Sequence, residues 1–315
     1  MHEDAGLILP RGEDGQELED AHEGRGGLVR DGAGRIGCAP RTSLRDAGKR
    51  GLGWLVGRAL PHGRYDRCLF VLAHMRCGST ALSNIVCSRP DFSGYGESHV
   101  THDGLDAPGR LAVNCARRKG WDARAPWQFD KILHSRLDAA APPAFFSARA
   151  IFLVREPFAS VRSIVDLFAR LGRDEYRTHE EAASYYIGRL AALAEMWPRF
   201  EAARRIGLTH EALLRDPDAV LAAISTRLGI TPPLVNAYRS KAASRRGGGG
   251  DPLVSGRHSR IEPGLPGRPV DPSDLDLSPA TCVQLQESYA ALAALFGRDA
   301  AQERRGRSEL PQSEP

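Results

Sequence analysis

CLFVLAHMRCGSTALSNIVCS, residues 68–88, is the most informative stretch of this 315-residue chain. Its first six residues form an unbroken apolar run between polar residues, which predicts a buried strand over Cys68–Ala73. After Gly78 the chain continues with Ser79 and Thr80, residue types that favour a helix N-terminus, and then with helical apolar spacing. A strand joined to a helix by a short loop is a building unit of α/β proteins.

The following residues alternate strands and helices in the same way. A second buried strand is predicted over residues 148–154, and Pro157 is placed to open the helix after it. Four further elements are predicted: a long amphipathic helix, a short strand, a helix and a closing helix that ends at Gly297, at residues 178–205, 205–210, 211–230 and 278–297. This order predicts an α/β fold in which a parallel sheet is flanked by helices.

The two ends of the chain differ in composition from the middle. Residues 1–63 are rich in Gly, Asp, Glu and Arg, and only residues 51–60 show helical apolar spacing. Such segments bury too little apolar surface to fold, so we predict a mostly disordered extension at residues 1–63 and a disordered tail at 299–315. One working domain is therefore expected at residues 64–298.

Composition also limits the class of protein. The 43 Lys and Arg residues against 39 Asp and Glu leave a formal net charge of +4, which does not indicate nucleic-acid binding. The six cysteines form no CxxC pair and no Cys/His cluster with metal spacing, which indicates reduced thiols, no metal centre and a cytoplasmic setting. No apolar run of about 18 residues is present, so no membrane span is expected.

The loop between the first strand and its helix combines the features of an anion-binding site. Gly78 permits a tight turn, and the backbone amides after it point from a helix N-terminus toward any ligand there. Ser79 and Thr80 add hydroxyl donors, and Arg76 adds a fixed positive charge. The loop is not a Walker A motif, which needs an additional glycine before Gly78 and a lysine after it. An ordinary capped strand–turn–helix is the alternative for this segment taken alone.

A second anion site is predicted after the strand at residues 148–154. Arg155 ends this strand, and Ser163 lies eight residues later in the following helix. Ligands of open α/β sheets gather at the carboxyl ends of the strands, so Arg155 is placed to bind a phosphate. The alternative is that Arg155 forms an ion pair with Glu156 or Asp166.

A third segment, SRRGGGGDP at residues 244–252, places two arginines before a run of glycines. Arg245, Arg246 and the exposed amides from Gly247 onward are suited to an anion. Taken alone, the same composition is typical of a flexible linker. Its position after the other two segments is what makes the anion-binding interpretation worth testing.

In this order, the three segments resemble the motifs of the PAPS-dependent sulfotransferases, whose sulfuryl donor is 3'-phosphoadenosine-5'-phosphosulfate (PAPS). The run Arg76-Cys77-Gly78-Ser79-Thr80 is similar to the family's phosphosulfate loop (K/R)SG(S/T)T, with Cys77 replacing the usual Ser. Met75 stands where a Pro is common. Because backbone amides bind the ligand in this loop, a small side chain such as that of Cys77 is sufficient.

The other motifs continue the resemblance, which covers about residues 67–297. Arg155 and Ser163 keep the spacing of the family's 3'-phosphate motif. Residues 245–251 are similar to its RKGxxGD loop, although Arg246 stands where Lys is typical and four consecutive glycines follow. Residues 210–230 are similar to the family's sequence between these two motifs.

The resemblance implies a P-loop-like core and sulfuryl transfer from PAPS to an acceptor hydroxyl, with PAP as the product and no metal. It implies that the loop of Arg76, Cys77, Gly78, Ser79 and Thr80 binds the 5'-phosphosulfate. Arg76 is expected to act in catalysis on the leaving 5'-phosphate and the bridging oxygen. It also implies that the 3'-phosphate is bound by the residues of the second and third motifs, namely Arg155, Ser163, Arg245, Arg246 and Gly247.

A general base is expected to take the proton of the acceptor hydroxyl. Glu97 lies where many relatives carry a catalytic Glu, and His134 lies near the position of a catalytic His in other branches. Lys131 matches a Lys that would stabilise the transferring group. Glu97 is the first candidate for the base and His134 the second, whereas His99 and His102 are interpreted as solvated surface residues.

The acceptor is left open among carbohydrate, lipid and small-molecule hydroxyls. Two other functions remain as alternatives, a P-loop nucleotide kinase or NTPase and a catalytically inactive PAP-binding protein. The absent Walker lysine and the lack of a clear magnesium-binding Asp argue against the kinase. The presence of Arg76, Arg155 and Ser163 argues against loss of the donor site.

Overall fold

A computed structural model of the chain describes residues 28–30, 36–38, 44–61, 63–239, 258–264 and 269–308. In chain order the strands are β1 (Leu28–Arg30), β2 (Ile36–Cys38), β3 (Cys68–Ala73), β4 (Phe92–Ser93), β5 (Trp127–Ile132), β6 (Arg149–Val154) and β7 (Arg205–Thr209). The helices are α1 (Leu44–Ala59), α2 (Ser79–Cys87), α3 (Ala107–Arg117), α4 (Pro157–Arg170), α5 (His179–Met196), α6 (His210–Arg215), α7 (Pro217–Leu228) and α8 (Pro279–Ser308).

The larger sheet contains five parallel strands in the order β4–β5–β3–β6–β7, so the predicted helix-flanked parallel sheet is confirmed. Leu69 of the central β3 lies opposite Phe129 of β5 and Arg149 of β6. Because all five strands run in the same direction, their carboxyl ends lie at one edge. The chain leaves β3 toward β4 and leaves β6 toward β7, in opposite directions. The crevice between β3 and β6 is therefore the switch point where α/β proteins bind ligands.

The core explains why β3 is apolar throughout. Every residue of Cys68–Ala73 is 0% exposed, as expected for a central strand covered on both faces. Phe70 stacks on Phe145 with the ring centroids 4.7 Å apart. At β7, a Cβ on Gly207 would lie 2.1 Å from Phe296 of α8, so only glycine permits this close approach. No helix in the described part of the chain is long and apolar enough to cross a membrane.

The buried Arg189 of α5 ties the helix to the carboxyl edge of the sheet. Its Nε donates to the carbonyl of Ala73, and its Nη2 donates to the carbonyl of Ile132, at 3.0 and 2.9 Å. The Asp138 carboxylate lies 2.9 Å from the same guanidinium. A buried charge is tolerated only when it is paired and fully hydrogen-bonded, and Arg189 meets both conditions. The ends of β3 and β5 are thus held at a fixed separation.

The structure corrects the extent of two predicted helices. The helix predicted over residues 178–205 is α5, which begins after the Thr178 cap and ends at Met196. Pro198 follows, and the chain passes through two 3-10 turns before β7. The helix predicted over residues 211–230 is two helices, because the Asp216 side chain caps α7 and Pro217 occupies its first turn.

The predicted helix end at Gly297 is also wrong, since α8 continues to Ser308. A glycine ends a helix when its backbone adopts a positive φ, and Gly297 is not among the described glycines that do so. Residues 299–308, which were predicted to lie in a disordered tail, are therefore helical.

The chain divides into two compact units, Met1–Lys49 and Arg50–Pro315. In the first, β1 and β2 pair antiparallel, with Leu28 opposite Cys38. In the second, Arg50 of α1 forms ion pairs with Asp103 and Asp106, at 2.8 and 3.4 Å. Residues 44–59, predicted to lie in a mostly disordered extension, are helical. The division of the chain at residues 63 and 298 stays a prediction.

Candidate functional site

The loop at residues 74–78 connects β3 to α2 at the switch point. Arg76 and Gly78 both have left-handed backbones, with φ of 65° and 85°. A non-glycine residue in this region is strained, and such strain is typical of functional sites. Gly78 occupies the N-cap position of α2 and offers no side chain to cap it. The first amides of the helix, at Ser79 and Thr80, therefore face the loop.

The two sites predicted after β3 and β6 meet in the structure. Arg76 donates from Nε to Ser163 Oγ of α4 at 2.9 Å. Arg155 donates from Nη1 to the backbone carbonyl of Arg76 at 2.9 Å. Ser163 therefore lies beside the first loop as well as the second. The three residues, which lie up to 87 positions apart in the sequence, form one positively charged surface.

Arg155 does not form the ion pair considered for it in the sequence. The Glu156 carboxylate instead caps α4, where it accepts from the backbone N–H groups of Phe158 and Ala159 at 3.0 and 2.7 Å. In the described part of the chain, no carboxylate lies within ion-pair distance of Arg155. Burial lowers the pKa of the Arg155 guanidinium, and the charge of Arg76 lowers it further. The carboxylates of Glu211 and Glu156 act in the opposite direction.

A buried histidine locks the two loops together. His74 Nε2 accepts from the backbone N–H of Arg155 at 3.0 Å, and His74 Nδ1 lies 2.8 Å from the carbonyl of Met75. Because the N–H of Arg155 only donates, the proton of His74 is assigned to Nδ1. Burial lowers the pKa of His74 to about 3, so the ring stays neutral at physiological pH.

Two tyrosines of α5 complete this support. The Tyr185 hydroxyl accepts from the backbone N–H of Met75 at 2.9 Å and donates to the carbonyl of Leu133 at 2.8 Å. The Tyr186 hydroxyl donates to the carbonyl of Arg155 at 2.7 Å. Each hydroxyl satisfies backbone groups at strand ends that would otherwise be unpaired.

Lys131 and Glu97 lie together next to the loop. Lys131, the penultimate residue of β5, is 2% exposed, and its Nζ lies 4.0 Å from Oε2 of Glu97. Burial raises the pKa of the Cys77 thiol, whereas hydrogen bonds from Ser79 and the charge of Lys131 act in the opposite direction. Lys131 is thus close enough to the loop for its charge to affect the Cys77 thiol. Glu97 is 8% exposed, and within the described residues its Oε1 has no hydrogen-bond partner.

The buried Asp130 of β5 positions the segment that carries Glu97. Its Oδ1 accepts from the backbone N–H groups of Ser98 and Lys131, both at 2.9 Å. Its Oδ2 accepts from Ser98 Oγ at 2.7 Å and lies 3.1 Å from His102 Nε2. The apolar pattern does not predict strand β5, because Asp130 and Lys131 interrupt it. These polar side chains are nevertheless buried, since they bind the neighbouring segment.

The three histidines considered in the sequence differ in environment. His134 packs against Tyr185, with the ring centroids 5.5 Å apart. Burial lowers the pKa of His134 to about 4, with smaller contributions from the charges of Arg136, His99 and Arg189. His99 is half exposed, with Nδ1 3.7 Å from Oε1 of Glu97. His102, interpreted as a surface residue, is 0% exposed and pairs with Asp130, so that interpretation is wrong.

His210 belongs to the site but was not assigned a role from the sequence. Its ring covers the loop glycine, because a Cβ on Gly78 would lie 2.7 Å from His210 Cδ2. Burial and the charge of Arg155 lower the pKa of His210 to about 4. Its place directly after β7, at the same edge as Arg76 and Arg155, is the signal that would have identified it.

The third predicted segment, with Arg245, Arg246 and Gly247, lies outside the described residues. In the part of the chain that the structure describes, no three His, Cys, Asp or Glu side chains are grouped so as to hold a metal ion. The candidate residues that lie near one another are thus the loop at residues 74–78 with Lys131, Arg155 and Ser163, and Glu97, His99, His134 and His210 around them.

A comparison with protein families matches residues 122–233 to a sulfotransferase family. This segment contains Lys131, His134, Arg155, Ser163 and His210, whereas the loop at residues 74–78 precedes it. The resemblance to sulfotransferases seen in the sequence is therefore confirmed for residues 122–233, a little over a third of the chain. A comparison with curated proteins finds no match.

Several solved structures are similar to this chain at low sequence identity. The sulfotransferase domain of an olefin synthase from Synechococcus PCC 7002 is 21% identical, with a TM-score of 0.48, 71% of this chain covered and 94% of that domain. A sulfotransferase from Alicyclobacillus acidocaldarius is 14% identical, with a TM-score of 0.42 and coverages of 73% and 95%. A mouse sulfotransferase in complex with PAP is 12% identical, with a TM-score of 0.44 and coverages of 89% and 99%.

Proposed function

Since residues 122–233 match a sulfotransferase family, we propose that this chain transfers the sulfuryl group of PAPS to a hydroxyl of a small-molecule or glycan acceptor and releases PAP. The observation that carries the proposal is the contact of Arg76 with Arg155 and Ser163, which joins two segments separately expected to bind phosphate. Two arginines at the switch point of a parallel sheet suit a ligand with several anionic groups.

The chemistry of the site fits such a donor. PAPS carries a 3'-phosphate and a 5'-phosphosulfate, and it supplies an activated sulfuryl group when bound. The neighbouring guanidinium groups of Arg76 and Arg155 repel each other, so an anion between them is favoured. The amides at the start of α2 and the hydroxyls of Ser79, Thr80 and Ser163 add hydrogen-bond donors.

We assign the 5'-phosphate to Arg76 and to the amides of Gly78, Ser79 and Thr80, with Cys77 contributing only a small side chain. In sulfuryl transfer, as in phosphoryl transfer, the protein mainly aligns the reacting oxygens and neutralises charge on the leaving group. We assign the 3'-phosphate to Arg155 and Ser163. Arg245, Arg246 and Gly247 are further proposed contacts.

On the acceptor side, we assign Lys131 to stabilise charge on the transferring group, since it is buried beside the loop. Removal of the acceptor proton is assigned to Glu97, either directly or through a neighbouring group, with His134 as the second candidate. Separate Glu97→Gln and His134→Gln substitutions test this assignment in a PAPS turnover assay. If neither substitution lowers turnover, the assignment is wrong.

We also propose a cytoplasmic location. It is supported by the free thiols of the cysteines in the described residues, which are Cys68, Cys77, Cys87, Cys115 and Cys282. Reduced thiols are typical of proteins in a reducing compartment. Fractionation of the source cells, followed by detection of this chain, tests the location.

The first test of the function is calorimetric titration with PAP, with ATP as the competing ligand. We expect the wild type to bind PAP and to bind ATP with magnesium much more weakly. Arg155→Ala removes a charged donor to the phosphate, which is worth about 1.5–3 kcal/mol, so PAP affinity is expected to fall by roughly ten- to a hundredfold. Arg162→Ala is the matched control, because Arg162 is an exposed arginine on α4 next to Ser163.

The outcomes of this titration separate the alternatives. PAP binding that Arg155→Ala weakens by roughly ten- to a hundredfold and Arg162→Ala leaves intact supports the donor site. A preference for ATP with magnesium, or no PAP binding at all, overturns the sulfotransferase proposal and favours a kinase. PAP binding without any transfer to a broad set of acceptors indicates an inactive PAP-binding protein.

A further inference from the structure

Residues 94–102 follow β4 and carry Glu97. Among the non-glycine residues of this segment, only His99 has a positive φ. The backbone on either side of His99 is held in place. Ser98 is bound to Asp130 through both its N–H and its hydroxyl, and the N–H of Val100 donates to Ser98 Oγ at 3.2 Å. His99 itself has a left-handed backbone with φ of 57°. Such strain persists only where the surroundings impose it, and it is characteristic of functional sites.

The turn at His99 separates a buried carboxylate from an exposed imidazole. The flanking residues Ser98 and Val100 are 5% and 6% exposed, whereas the His99 side chain is 50% exposed. The Glu97 side chain is 11% exposed and lies between Lys131 at 4.0 Å and His99 at 3.7 Å. The imidazole is therefore the more solvent-accessible of the two groups.

Glu97 and His99 place a carboxylate beside an imidazole nitrogen. Oε1 of Glu97 is buried and has no hydrogen-bond partner among the described residues, and Nδ1 of His99 lies 3.7 Å from it. A carboxylate beside Nδ1 favours the imidazole tautomer that keeps its proton there, which leaves Nε2 free to accept another. Hydrogen bonds of catalytic groups are often long before substrate binds.

We propose that His99 is the general base of the reaction and that Glu97 acts through it as a positioning residue. This rests on the proposed function. The acceptor O–H bond breaks and its proton passes to Nε2 of His99, while the acceptor oxygen forms a bond to sulfur. The bond between sulfur and the bridging oxygen of the donor breaks, and the nucleotide phosphate keeps the electron pair. Lys131 and His134 are the other titratable groups that face this pair from β5 and the segment after it.

The first test is the protonation state of the His99 ring, read from its ¹⁵N chemical shifts by NMR in the wild type without acceptor. We expect the neutral ring to carry its proton on Nδ1, because Glu97 accepts it there. A neutral ring that carries its proton on Nε2 overturns the proposal. This measurement does not depend on knowing the acceptor.

The second test is His99→Gly, which removes the imidazole and also relieves the left-handed strain, so the variant is expected to fold. With PAPS as donor and phenol as the acceptor probe, whose hydroxyl stays protonated at neutral pH, turnover is expected to fall by roughly a hundredfold, and added imidazole is expected to restore part of it. Lys119→Gly is the matched control, since Lys119 is exposed, has φ of 55° and lies outside the site.

The results distinguish failure of this inference from failure of the function. A wild type that does not bind PAP overturns the proposed function. A wild type that binds PAP and sulfates phenol, with His99→Gly equally active or not rescued by imidazole, overturns only the role of His99. If phenol is not accepted, the NMR result decides the inference. PAP affinity is expected to be unchanged in His99→Gly, because His99 is assigned to the acceptor side.

Discussion

Gly78 shows how a single residue shapes the loop. Its φ of 85° belongs to the region where side chains are disfavoured, and the His210 ring occupies the place of a Cβ. The glycine therefore serves two purposes, a left-handed turn and a close approach of the residue that follows β7. His210 in turn lies close enough to Arg155 for the arginine charge to lower its pKa. The loops after β3, β6 and β7 thus meet around one glycine.

Gly78→Ala is expected to destabilise the protein by at least about 1 kcal/mol, because a left-handed non-glycine residue costs that much. The contact at 2.7 Å with His210 adds to this cost. In the double variant Gly78→Ala with His210→Ala the contact part is expected to be recovered and the backbone part to remain. Urea denaturation of the wild type, both single variants and the double variant measures the coupling. Additive free energies would show that the two residues do not interact.

At the scale of elements, α5 is the helix that holds the site in place. Arg189, Tyr185 and Tyr186 all lie on this helix and bind the backbone at the ends of β3, β5 and β6. Its N-terminus is fixed by a capping box in which Thr178 and Glu181 bind each other's backbone. Side chains of one helix therefore hold the backbone at and beside the loop at residues 74–78 through hydrogen bonds.

Tyr185→Phe is expected to cost about 2 kcal/mol of stability, because it leaves the buried N–H of Met75 and the carbonyl of Leu133 without their partner. Tyr186→Phe, a matched control on the same helix, removes one bond to a carbonyl and is expected to cost about 1 kcal/mol. PAP affinity is expected to fall more in Tyr185→Phe, since its hydroxyl binds the loop itself. Denaturation and calorimetry on both variants measure these effects. Equal losses would contradict the bridging role of Tyr185.

At the scale of the whole molecule, burial keeps several histidines neutral at the carboxyl edge of the sheet. Burial is the largest cause that lowers the pKa of His74 to about 3, and that of His134 and of His210 to about 4. Their ordinary value of 6.5 applies in the unfolded chain. Below this value the unfolded state binds protons that the folded state does not. Stability is therefore fully present above about pH 6.5 and is lost as the pH falls toward these lowered values.

The free energy of unfolding is expected to decrease from pH 7 to pH 5, with His74 alone contributing about 2 kcal/mol to the decrease. His74→Gln keeps an acceptor for the N–H of Arg155 but does not titrate, so its pH dependence is expected to be shallower. Denaturant unfolding at several pH values measures both slopes. His258→Gln, at an exposed histidine, is the control and is expected to follow the wild type. Parallel curves for His74→Gln and the wild type would contradict a neutral His74.

The local sequence pattern was sufficient to predict strands β3 and β6. It also predicted the loop at residues 74–78 and the starts of α2 and α4. Each depends on neighbouring residues, such as the apolar run of Cys68–Ala73 and the proline at position 157. The spacing of Arg155 and Ser163 was likewise readable, because both lie on one strand-to-helix connection. Hydrophobic runs, glycines and prolines act within a few residues, and this is why sequence alone predicts them.

Other features depend on the order of strands in the sheet, which no local pattern encodes. Strand β5 is interrupted by polar residues whose partners, such as Ser98 for Asp130, come from a distant segment. The contact of Arg76 with Ser163, the ring of His210 on Gly78 and the difference in exposure between Glu97 and His99 all follow from that order. Buried polar groups find their partners only when the chain has folded, so the tertiary structure alone decides how the site is assembled.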